Sequence, residues 1–314
     1  MFKRKDTNSL TRTYEYKLRI NKKFVERAEQ VLEECRFLYN CALEQRISHY
    51  LYARKGIYYF DQQAELTQLR AEVATIKATG RAIQVDVLRR LEKAYRAFFR
   101  RCQEKKMGLL KGKVGFPRFK GKNRYNSFAQ VIEPQRGCPL KGDKLTVPSI
   151  GTVRVRLHRP LEGVVKELRI LRRADGWYVQ LVCAVARPLP LPATDRTTGV
   201  DVNILNQATL SDGTEIPNHR FAKQNKKKLK KAQKKLARKQ LGSKNREKAR
   251  RKVALNHLHV SRCRRDQAHK ASTHLVNTYD ATYWEDLNIA GLARNSKLAF
   301  HIHDVGWRQL RDLT

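Results

Sequence analysis

Two short apolar runs of this chain each carry one carboxylate. Asp201 lies within Gly-Val-Asp-Val-Asn-Ile (199–204), and Glu285 follows the run Thr-Tyr-Trp (282–284). Short apolar runs of this kind predict buried strands. A carboxylate in a buried strand is costly unless its charge is compensated, and a bound metal ion is the usual compensation. The two runs therefore predict a metal site built on strands, with Asp201 and Glu285 as ligands.

The order of elements around the two acids restricts the fold further. Strands are expected over 198–203 and 206–211, with a third short strand before His219, then helices, then the strand that ends in Glu285. This is the order of an RNase H-like nuclease fold, in which the first and fourth strands are neighbours. Acids placed in this way hold two divalent ions about 3.5–4 Å apart, one activating water and one stabilising the leaving oxygen. Oxygen ligands favour Mg²⁺ or Mn²⁺.

The charge of the chain indicates its partner. Lys and Arg number 67 against 29 Asp and Glu, which gives a formal net charge of +38 on 314 residues. Residues 1–194 hold 41 basic and 18 acidic side chains, and residues 195–314 hold 26 and 11. Charge spread over both parts predicts a polyanion in contact with most of the surface, and nucleic acid fits this best. The alternative is a ribosomal-type or solubilising excess of charge.

The most basic segment, residues 223–252, contains 16 Lys and Arg and one acid, Glu247. A thin apolar stripe through Leu229 and Leu236, with a break at 241–243, predicts a helical hairpin. A helix of like charges repels itself unless an anion neutralises it, so we expect the hairpin to face nucleic acid rather than solvent alone. The candidate contacts are Lys227, Lys230, Lys234 and Arg238.

The first half of the chain shows both periodicities, that of strands and that of helices. Asn21 offers an N-cap for the first helix. The Pro-rich stretch 188–192 indicates an interdomain linker. The expected elements are a strand over 12–20, helices over 21–52, 62–78 and 82–105, and strands between 144 and 187 with a hairpin at 174–176.

A loop-rich basic segment, residues 111–125, interleaves Lys and Arg with Phe116, Phe119 and Tyr125. Cations meet phosphates and aromatic faces stack on bases, a combination suited to single-stranded or splayed nucleic acid. The aromatic side chains could equally anchor the loop to the core, and both interpretations stay open. The candidate phosphate contacts are Lys113, Arg118, Lys120, Lys122 and Arg124.

The sequence predicts neither a membrane span nor a secretory signal, because no apolar run is long enough for either. The six cysteines form no Cys-x-x-Cys pair, so no zinc site is expected and reduced thiols are favoured. We therefore expect a cytoplasmic protein that uses no zinc.

Four blocks, in order along the chain, resemble the TnpB family: Gly-Phe-Pro-Arg-Phe at 115–119, Gly-Val-Asp-Val at 199–202, Trp-Glu-Asp-Leu-Asn at 284–288 and His-Asp-Val-Gly-Trp at 303–307. TnpB proteins are transposon-encoded, RNA-guided DNA endonucleases, similar to the ancestors of type V CRISPR effectors. By this resemblance Asp201 and Glu285 match the first and second RuvC carboxylates.

The resemblance implies a multidomain α+β and α/β fold. A β-barrel wedge domain is expected over 1–20 and 106–190, with a helical recognition lobe inserted at 21–105. A RuvC-like domain of RNase H fold is expected at 194–314, lacking its C-terminal part. Family members continue into a pair of zinc-binding Cys-x-x-Cys motifs and a third carboxylate, which would begin where Thr314 ends this sequence.

Two further acids lie near the expected site, and neither is expected to supply the third carboxylate. Asp286 should point to the opposite face of its strand from Glu285, because side chains alternate along a strand. Asp304 is expected to be a helix N-cap. Asn203 stands where the family usually has a glycine.

The resemblance also implies partners: a guide RNA derived from the transposon end and a double-stranded DNA target with a short adjacent motif. Base pairing reads the target sequence, and the protein holds the backbone. We expect a nucleoid-associated prokaryotic protein that binds DNA under RNA guidance, and cuts it by two-metal hydrolysis if its site is complete. The alternatives are a nuclease-inactive guided binder, a decayed transposase remnant, and a generic basic RNA-binding protein.

Overall fold

The computed structural model describes residues 9–133, 135 and 137–314. The chain divides into two compact units, Met1–Arg187 and Pro188–Thr314, which we call the N-terminal unit and the C-terminal unit. Across the described residues, no helix combines the length and apolarity needed to cross a membrane. All six cysteines are free thiols.

The N-terminal unit contains a seven-stranded sheet in which every neighbouring pair is antiparallel. Its strands are β1 (Ser9–Arg19), β2 (Ser127–Val131), β3 (Leu140–Lys141), β4 (Lys144–Val147), β5 (Gly151–Arg156), β6 (Val164–Arg173) and β7 (Gly176–Ala186). The order across the sheet is β2-β6-β7-β1-β5-β4-β3, so the first strand of the chain lies at its centre.

Buried and exposed side chains alternate along the central strand of this sheet, as the sequence predicts. Tyr14, Tyr16 and Leu18 of β1 are buried, and the intervening residues are more exposed. The predicted hairpin is confirmed, because β6 and β7 pair up to Arg173 and Gly176 across a two-residue turn. Among the described residues, β2 and β3 each have one strand partner. Closure into a barrel therefore stays a prediction.

The helices of the N-terminal unit pack on the sheet and on one another. The Asn21 side chain accepts a hydrogen bond from the Phe24 amide (2.8 Å), which confirms the predicted cap. The region expected as helical over 62–78 forms two helices, because Val73 has extended backbone (φ −114°, ψ 104°). The helices are α1 (Lys22–Ala53), α2 (Tyr59–Glu72), α3 (Ala74–Ala78) and α4 (Arg81–Lys106).

A buried arginine joins three of these helices. Arg46 of α1 is 6% exposed; its guanidinium donates to Gln62 of α2 (2.8 Å) and to Glu92 of α4 (2.9 Å). The same guanidinium lies 5.0 Å from the centre of the Tyr95 ring. A buried charge is tolerated when it is paired and hydrogen-bonded in this way, and the pairing fixes how α1, α2 and α4 meet.

The C-terminal unit is built on a four-stranded mixed sheet. Its strands are β8 (Thr197–Asp201), β9 (Ala208–Leu210), β10 (Glu215–Ile216) and β11 (Ala281–Trp284), in the order β10-β9-β8-β11. The first and fourth strands, β8 and β11, are neighbours, as the sequence predicts, and they pair in parallel. The other two pairs are antiparallel.

Helices fill the long connection between β10 and β11 and follow the sheet. The predicted basic hairpin is confirmed as α5 and α6, which pack against each other. Its second arm ends at Thr278, near the expected end at Val276. The helices are α5 (Phe221–Ala237), α6 (Lys244–Thr278), α7 (Ile289–Leu292), α8 (Ala299–Val305) and α9 (Trp307–Leu313).

Polar contacts close the amino ends of β8 and β11. The Asp280 carboxylate accepts hydrogen bonds from the Thr194 amide and hydroxyl and from the Asp195 amide. Asp212 accepts from the Tyr279 hydroxyl (2.5 Å) and the Thr214 amide. These hydrogen bonds, chiefly that from Tyr279, lower the pKa of Asp212 to about 2. The acidic candidate site lies at the other end of the same two strands.

Two leucines of α6 differ in burial, and this predicts a difference in their contribution to stability. Leu275 is fully buried among residues of the sheet and Leu310 of α9, whereas Leu255 on the same helix is 37% exposed. We expect Leu275→Ala to lower the free energy of unfolding by about 2–5 kcal/mol and Leu255→Ala by less than about 1 kcal/mol. Denaturant unfolding of both variants checks this, and equal losses would contradict the packing.

Candidate metal and nucleic-acid sites

The parallel pairing of β8 with β11 brings the two predicted acids to one edge of the sheet. The register pairs Val200 with Trp284 as its last couple. Asp201, the last residue of β8, and Glu285, the residue that follows β11, come directly after this pair. Neighbouring strands are about 4.8 Å apart, so the two backbones leave the sheet side by side. The predicted adjacency of the two acids is therefore supported by the strand register.

The predicted burial of the acids is wrong, because both residues are exposed. Asp201 is the last residue of β8, and its neighbour Val200, 3% exposed, faces the core. Alternation turns Asp201 away from that core, and Glu285 lies just beyond the end of β11. The carboxylates thus keep their hydration, and no desolvation cost demands a metal ion. Open carboxylate oxygens are nonetheless suitable ligands for a hard cation that keeps part of its water shell.

Asn203 shapes the turn that follows Asp201. Its side-chain oxygen accepts from the Asn206 amide (2.8 Å), and its side-chain nitrogen donates to the Thr209 hydroxyl (3.2 Å). Its carbonyl oxygen accepts from the indole nitrogen of Trp307 (3.2 Å). Asn203 therefore holds the strand exit in place through two side-chain hydrogen bonds and one backbone hydrogen bond.

The other two acids considered from the sequence behave differently. Asp286 is solvent-exposed and lies 3.9 Å from the guanidinium of Arg311. Asp304, expected from the sequence to be a helix N-cap, lies inside α8 rather than at the start of a helix, and its carboxylate caps the N-terminus of α5 from a distant part of the chain. Across the described residues, no group of three or more His, Cys, Asp and Glu side chains is placed to hold a metal ion.

The basic helix α5 presents the predicted cations to solvent. The four candidates recur at helical spacing on the face opposite the apolar stripe, which packs toward α6 through the buried Ala232. Residues 221–238 contain no acid. Arg246 of α6 donates to the carbonyls of Leu236 (3.1 Å) and Lys239 (2.7 Å), a favourable cation at the end of α5. The exposed candidates are Lys227, Lys230, Lys234 and Arg238.

The basic loop is held on the helices of the N-terminal unit by its backbone. Asn40 of α1 bonds both the amide and the carbonyl of Lys120, and Arg36 donates to the same carbonyl. The Lys120 ammonium lies 5.3 Å from the centre of the Tyr39 ring, so this lysine is partly engaged within the fold. The other predicted contacts are exposed, namely Lys113, Arg118, Lys122 and Arg124.

The aromatic residues of the loop divide between the two interpretations. Phe116 packs edge-on against Phe98 and Tyr95, with ring centres 5.1 Å and 5.5 Å apart, respectively. Tyr125 is buried beside Tyr39. Both therefore anchor the loop. Phe119 is 53% exposed, and it stays a candidate for stacking on a base.

Sequence reasoning missed a set of cations on the sheet of the N-terminal unit. Strand register places Arg19 opposite Arg154, Arg154 opposite Lys144, and Lys17 opposite Arg156. Like charges directly opposite one another destabilise a sheet unless an anion lies between them. The alternation of Arg154 and Arg156 with buried valines was visible in the sequence, but the pairing of strands distant along the chain was not.

Comparison with known proteins gives the family. Residues 180–296 match a family model described as "Probable transposase" (OrfB_IS605). A protein of Streptomyces pristinaespiralis named "Putative RNA-guided DNA endonuclease" is 31% identical over 284 residues, which covers 88% of this chain and 67% of that protein. InsQ of Escherichia coli, given the same description, is 27% identical over 296 residues, covering 88% and 70%.

One solved structure, titled "Cryo-EM structure of the Cas12f1-sgRNA-target DNA complex", is similar at a TM-score of 0.43 and 12% identity, covering 97% of this chain and 88% of that chain. A TM-score below 0.5 does not establish a shared fold. The relative that is 31% identical, of which this chain covers 67%, is sufficient to show the family, and the family model agrees with it. The chain belongs to the TnpB family.

Proposed function

We propose that this chain is an RNA-guided DNA-binding protein whose Asp201 and Glu285 hold divalent metal for DNA cleavage. The observation that carries the proposal is the strand register, which puts the two acids next to each other at the carboxyl ends of parallel strands. The family membership supplies the chemistry, because two curated relatives are named RNA-guided DNA endonucleases.

The domain assignment is part of the proposal. Residues 1–20 and 106–190, whose described part contains the seven-stranded sheet, would act as the wedge domain, and residues 21–105 as the recognition lobe. Residues 194–314 would form the RuvC-like domain. The support is the mixed sheet with adjacent first and fourth strands in the C-terminal unit, and the helices that interrupt the sheet of the N-terminal unit.

The two carboxylates fit a hard divalent cation such as Mg²⁺ or Mn²⁺. Both are exposed, which leaves room for water and for phosphate oxygens to complete the coordination. When bound, the metal would activate water and stabilise the leaving oxygen of a phosphodiester. Asp201 and Glu285 would contribute negative charge and oxygen ligands from two rigidly paired strands.

The exposed cations would hold the nucleic-acid backbone. Phosphate contacts fix position without reading sequence, so base pairing between a guide RNA and the target strand would supply specificity. Helix α5, which carries no acid, is the surface that most needs an anion. The opposed cations of β1, β4 and β5 are a second candidate surface, although Lys17 and Arg154 also lie near Asp175 and Asp143. The basic loop adds a third group of contacts, with Phe119 as a base-stacking side chain.

A second candidate function is guided binding without cleavage. The observation in its favour is that the described residues bring two carboxylates, rather than three ligands, to the edge of the sheet. Residues that act as a unit in catalysis are strongly non-additive, so an incomplete ligand set would leave little cleavage. Guided binding and cleavage, measured in the same reactions, separate the two candidates.

Guided binding is tested with RNA that co-purifies when the protein is expressed together with the DNA flanking its gene. The RNA is sequenced, and duplexes are made that match its variable end. Their flanks are randomised so that any adjacent motif is included, and their binding is compared with that of scrambled duplexes. We expect the matched duplex to bind about a thousandfold more tightly, a ratio within the usual range for specific sites. Equal affinities would contradict guided binding.

Cleavage in the same reactions separates the two candidates. Mg²⁺-dependent cutting that is lost in Asp201→Asn, with guided binding retained, assigns nuclease activity. Guided binding without cutting in the unchanged protein assigns the second candidate. Asp286→Asn is the matched control, because it removes the same charge from the neighbouring exposed acid.

The basic face of α5 predicts a change in salt dependence. We expect replacement of Lys227, Lys230, Lys234 and Arg238 by Gln to reduce the slope of log K against log salt by about 0.9 for each lost phosphate contact. The measurement is fluorescence anisotropy of a labelled duplex between low and moderate salt. The control replaces Arg250, Lys270 and Arg308, each paired with an acid, by Gln. An equal change of slope per residue in both variants would contradict the assignment.

A further inference from the structure

Four consecutive residues, Asp304 to Trp307, connect α8 to α9 and touch three other parts of the C-terminal unit. We call them the elbow. Gly306 has left-handed backbone (φ 75°), which turns the chain between the two helices. The elbow contacts the N-terminus of α5, the middle of α6 and the chain that follows β8.

Asp304 supplies the N-terminal cap that α5 lacks locally. Arg220, the residue before α5, has left-handed backbone and makes no side-chain cap. The Asp304 carboxylate instead accepts from the amides of Ala222 (2.8 Å) and Lys223 (3.0 Å). A carboxylate at this position satisfies two amides and offsets the positive end of the helix dipole.

The same carboxylate also ties down the second arm of the basic hairpin. Arg264 of α6 donates to Asp304 through two nitrogens, at 2.9 and 3.2 Å. The Asp304 side chain is only 2% exposed and that of Arg264 is 27% exposed, so the carboxylate is buried and the pair is screened by salt less than a fully exposed pair would be. One buried carboxylate therefore holds both arms, α5 and α6, against the elbow.

The other end of the elbow holds the strand exit that carries Asp201. The Trp307 indole donates to the carbonyl of Asn203, two residues beyond Asp201 (3.2 Å). The carbonyl of Val305 accepts from the side chain of Gln207 (3.0 Å). Trp307 and Gln207 are buried, so these are fixed contacts rather than surface ones.

We propose that the elbow is a positioning device: it fixes the basic helix α5 relative to the edge that carries Asp201 and Glu285, with Asp304 and Trp307 as the positioning residues. A nucleic-acid strand held on α5 would then have a fixed place relative to the two carboxylates. The inference rests on the proposed function. Asp304, the acid expected from the sequence to be a helix N-cap, becomes the link between backbone binding and the metal ligands.

The test measures how strongly duplex DNA and Mn²⁺ affect each other's binding. Phosphate oxygens complete the coordination of a cation held by carboxylates, so saturating duplex should raise the affinity for Mn²⁺ in the unchanged protein. We expect a rise of about tenfold, within the range typical of coupled sites. Mn²⁺ affinity is measured by electron paramagnetic resonance, with and without duplex, at a salt concentration where the duplex is bound.

Asp304→Ala should abolish this coupling and leave the protein folded. Amide exchange gives an independent readout without any ligand: the amides of Ala222 and Lys223 should exchange about fivefold to tenfold faster, as expected for a lost cap. Asp304→Asn keeps a capping oxygen, so it should restore slow exchange and most of the coupling. Asp266→Ala is the control, since it removes an equal charge from an exposed pair on α6.

Trp307→Phe keeps an aromatic ring, smaller than the indole, and removes the hydrogen bond to Asn203, so it tests the other side of the elbow if Asp304→Ala does not fold. Loss of coupling with unchanged duplex affinity in Trp307→Phe supports the inference. Full coupling in both Trp307→Phe and a folded Asp304→Ala would overturn it while leaving the proposed function intact. Failure of the unchanged protein to bind Mn²⁺ or duplex would overturn the proposed function and this inference with it.

Discussion

The pairing of β8 with β11 is the interaction on which the candidate metal site depends. Parallel neighbours need a long crossover, and the hairpin of α5 and α6 supplies it. Because parallel strands end at the same edge, residues far apart in sequence leave the sheet together. Asp201 and Glu285 become neighbours in this way, and the opposite ends of the same strands are closed by Asp280 and Asp212.

The charge of the molecule is handled in two different ways. Where Arg or Asp is buried, it is paired, as Arg46 is with Glu92 and Asp304 is with Arg264. On α5 and on the outer rows of β1, β4 and β5, cations stand beside other cations. Under the proposed function, bound nucleic acid would relieve the repulsion on these surfaces, whereas the buried acid Asp304 serves the architecture of the fold.

Local sequence signals predicted much of this fold because the responsible interactions are short-range. Asn21 caps the next turn of its own helix, and the turn before Gly176 joins consecutive strands. The neighbouring placement of β8 and β11 followed from the order of elements. The exposure of Asp201 could not be predicted in this way, because a shift of one residue in the strand boundary determines whether an acid lies inside a strand or at its end.

Long-range contacts account for the remaining differences. Asp304 caps a helix 82 residues earlier in the chain, and no local pattern marks that partner. In the sequence Lys120 does not differ from its basic neighbours. In the structure its backbone amide is bound by the side chain of Asn40, 80 residues away. The opposed arginines Arg19 and Arg154 depend on strand register, which periodicity alone does not give. Periodicity identifies the helices and strands, whereas contacts between residues distant in sequence can be identified only in the folded structure.

The claim that Asp201 and Glu285 form one metal site is tested most directly by a double-mutant cycle of Mn²⁺ affinity. Asp201→Asn, Glu285→Gln and the double variant are compared with the unchanged protein, with Asp286→Asn as the control. One shared site predicts that each single variant weakens binding and that the double variant binds little more weakly than the weaker single. Losses that simply add, or single variants that bind Mn²⁺ as the unchanged protein does, would contradict a shared site.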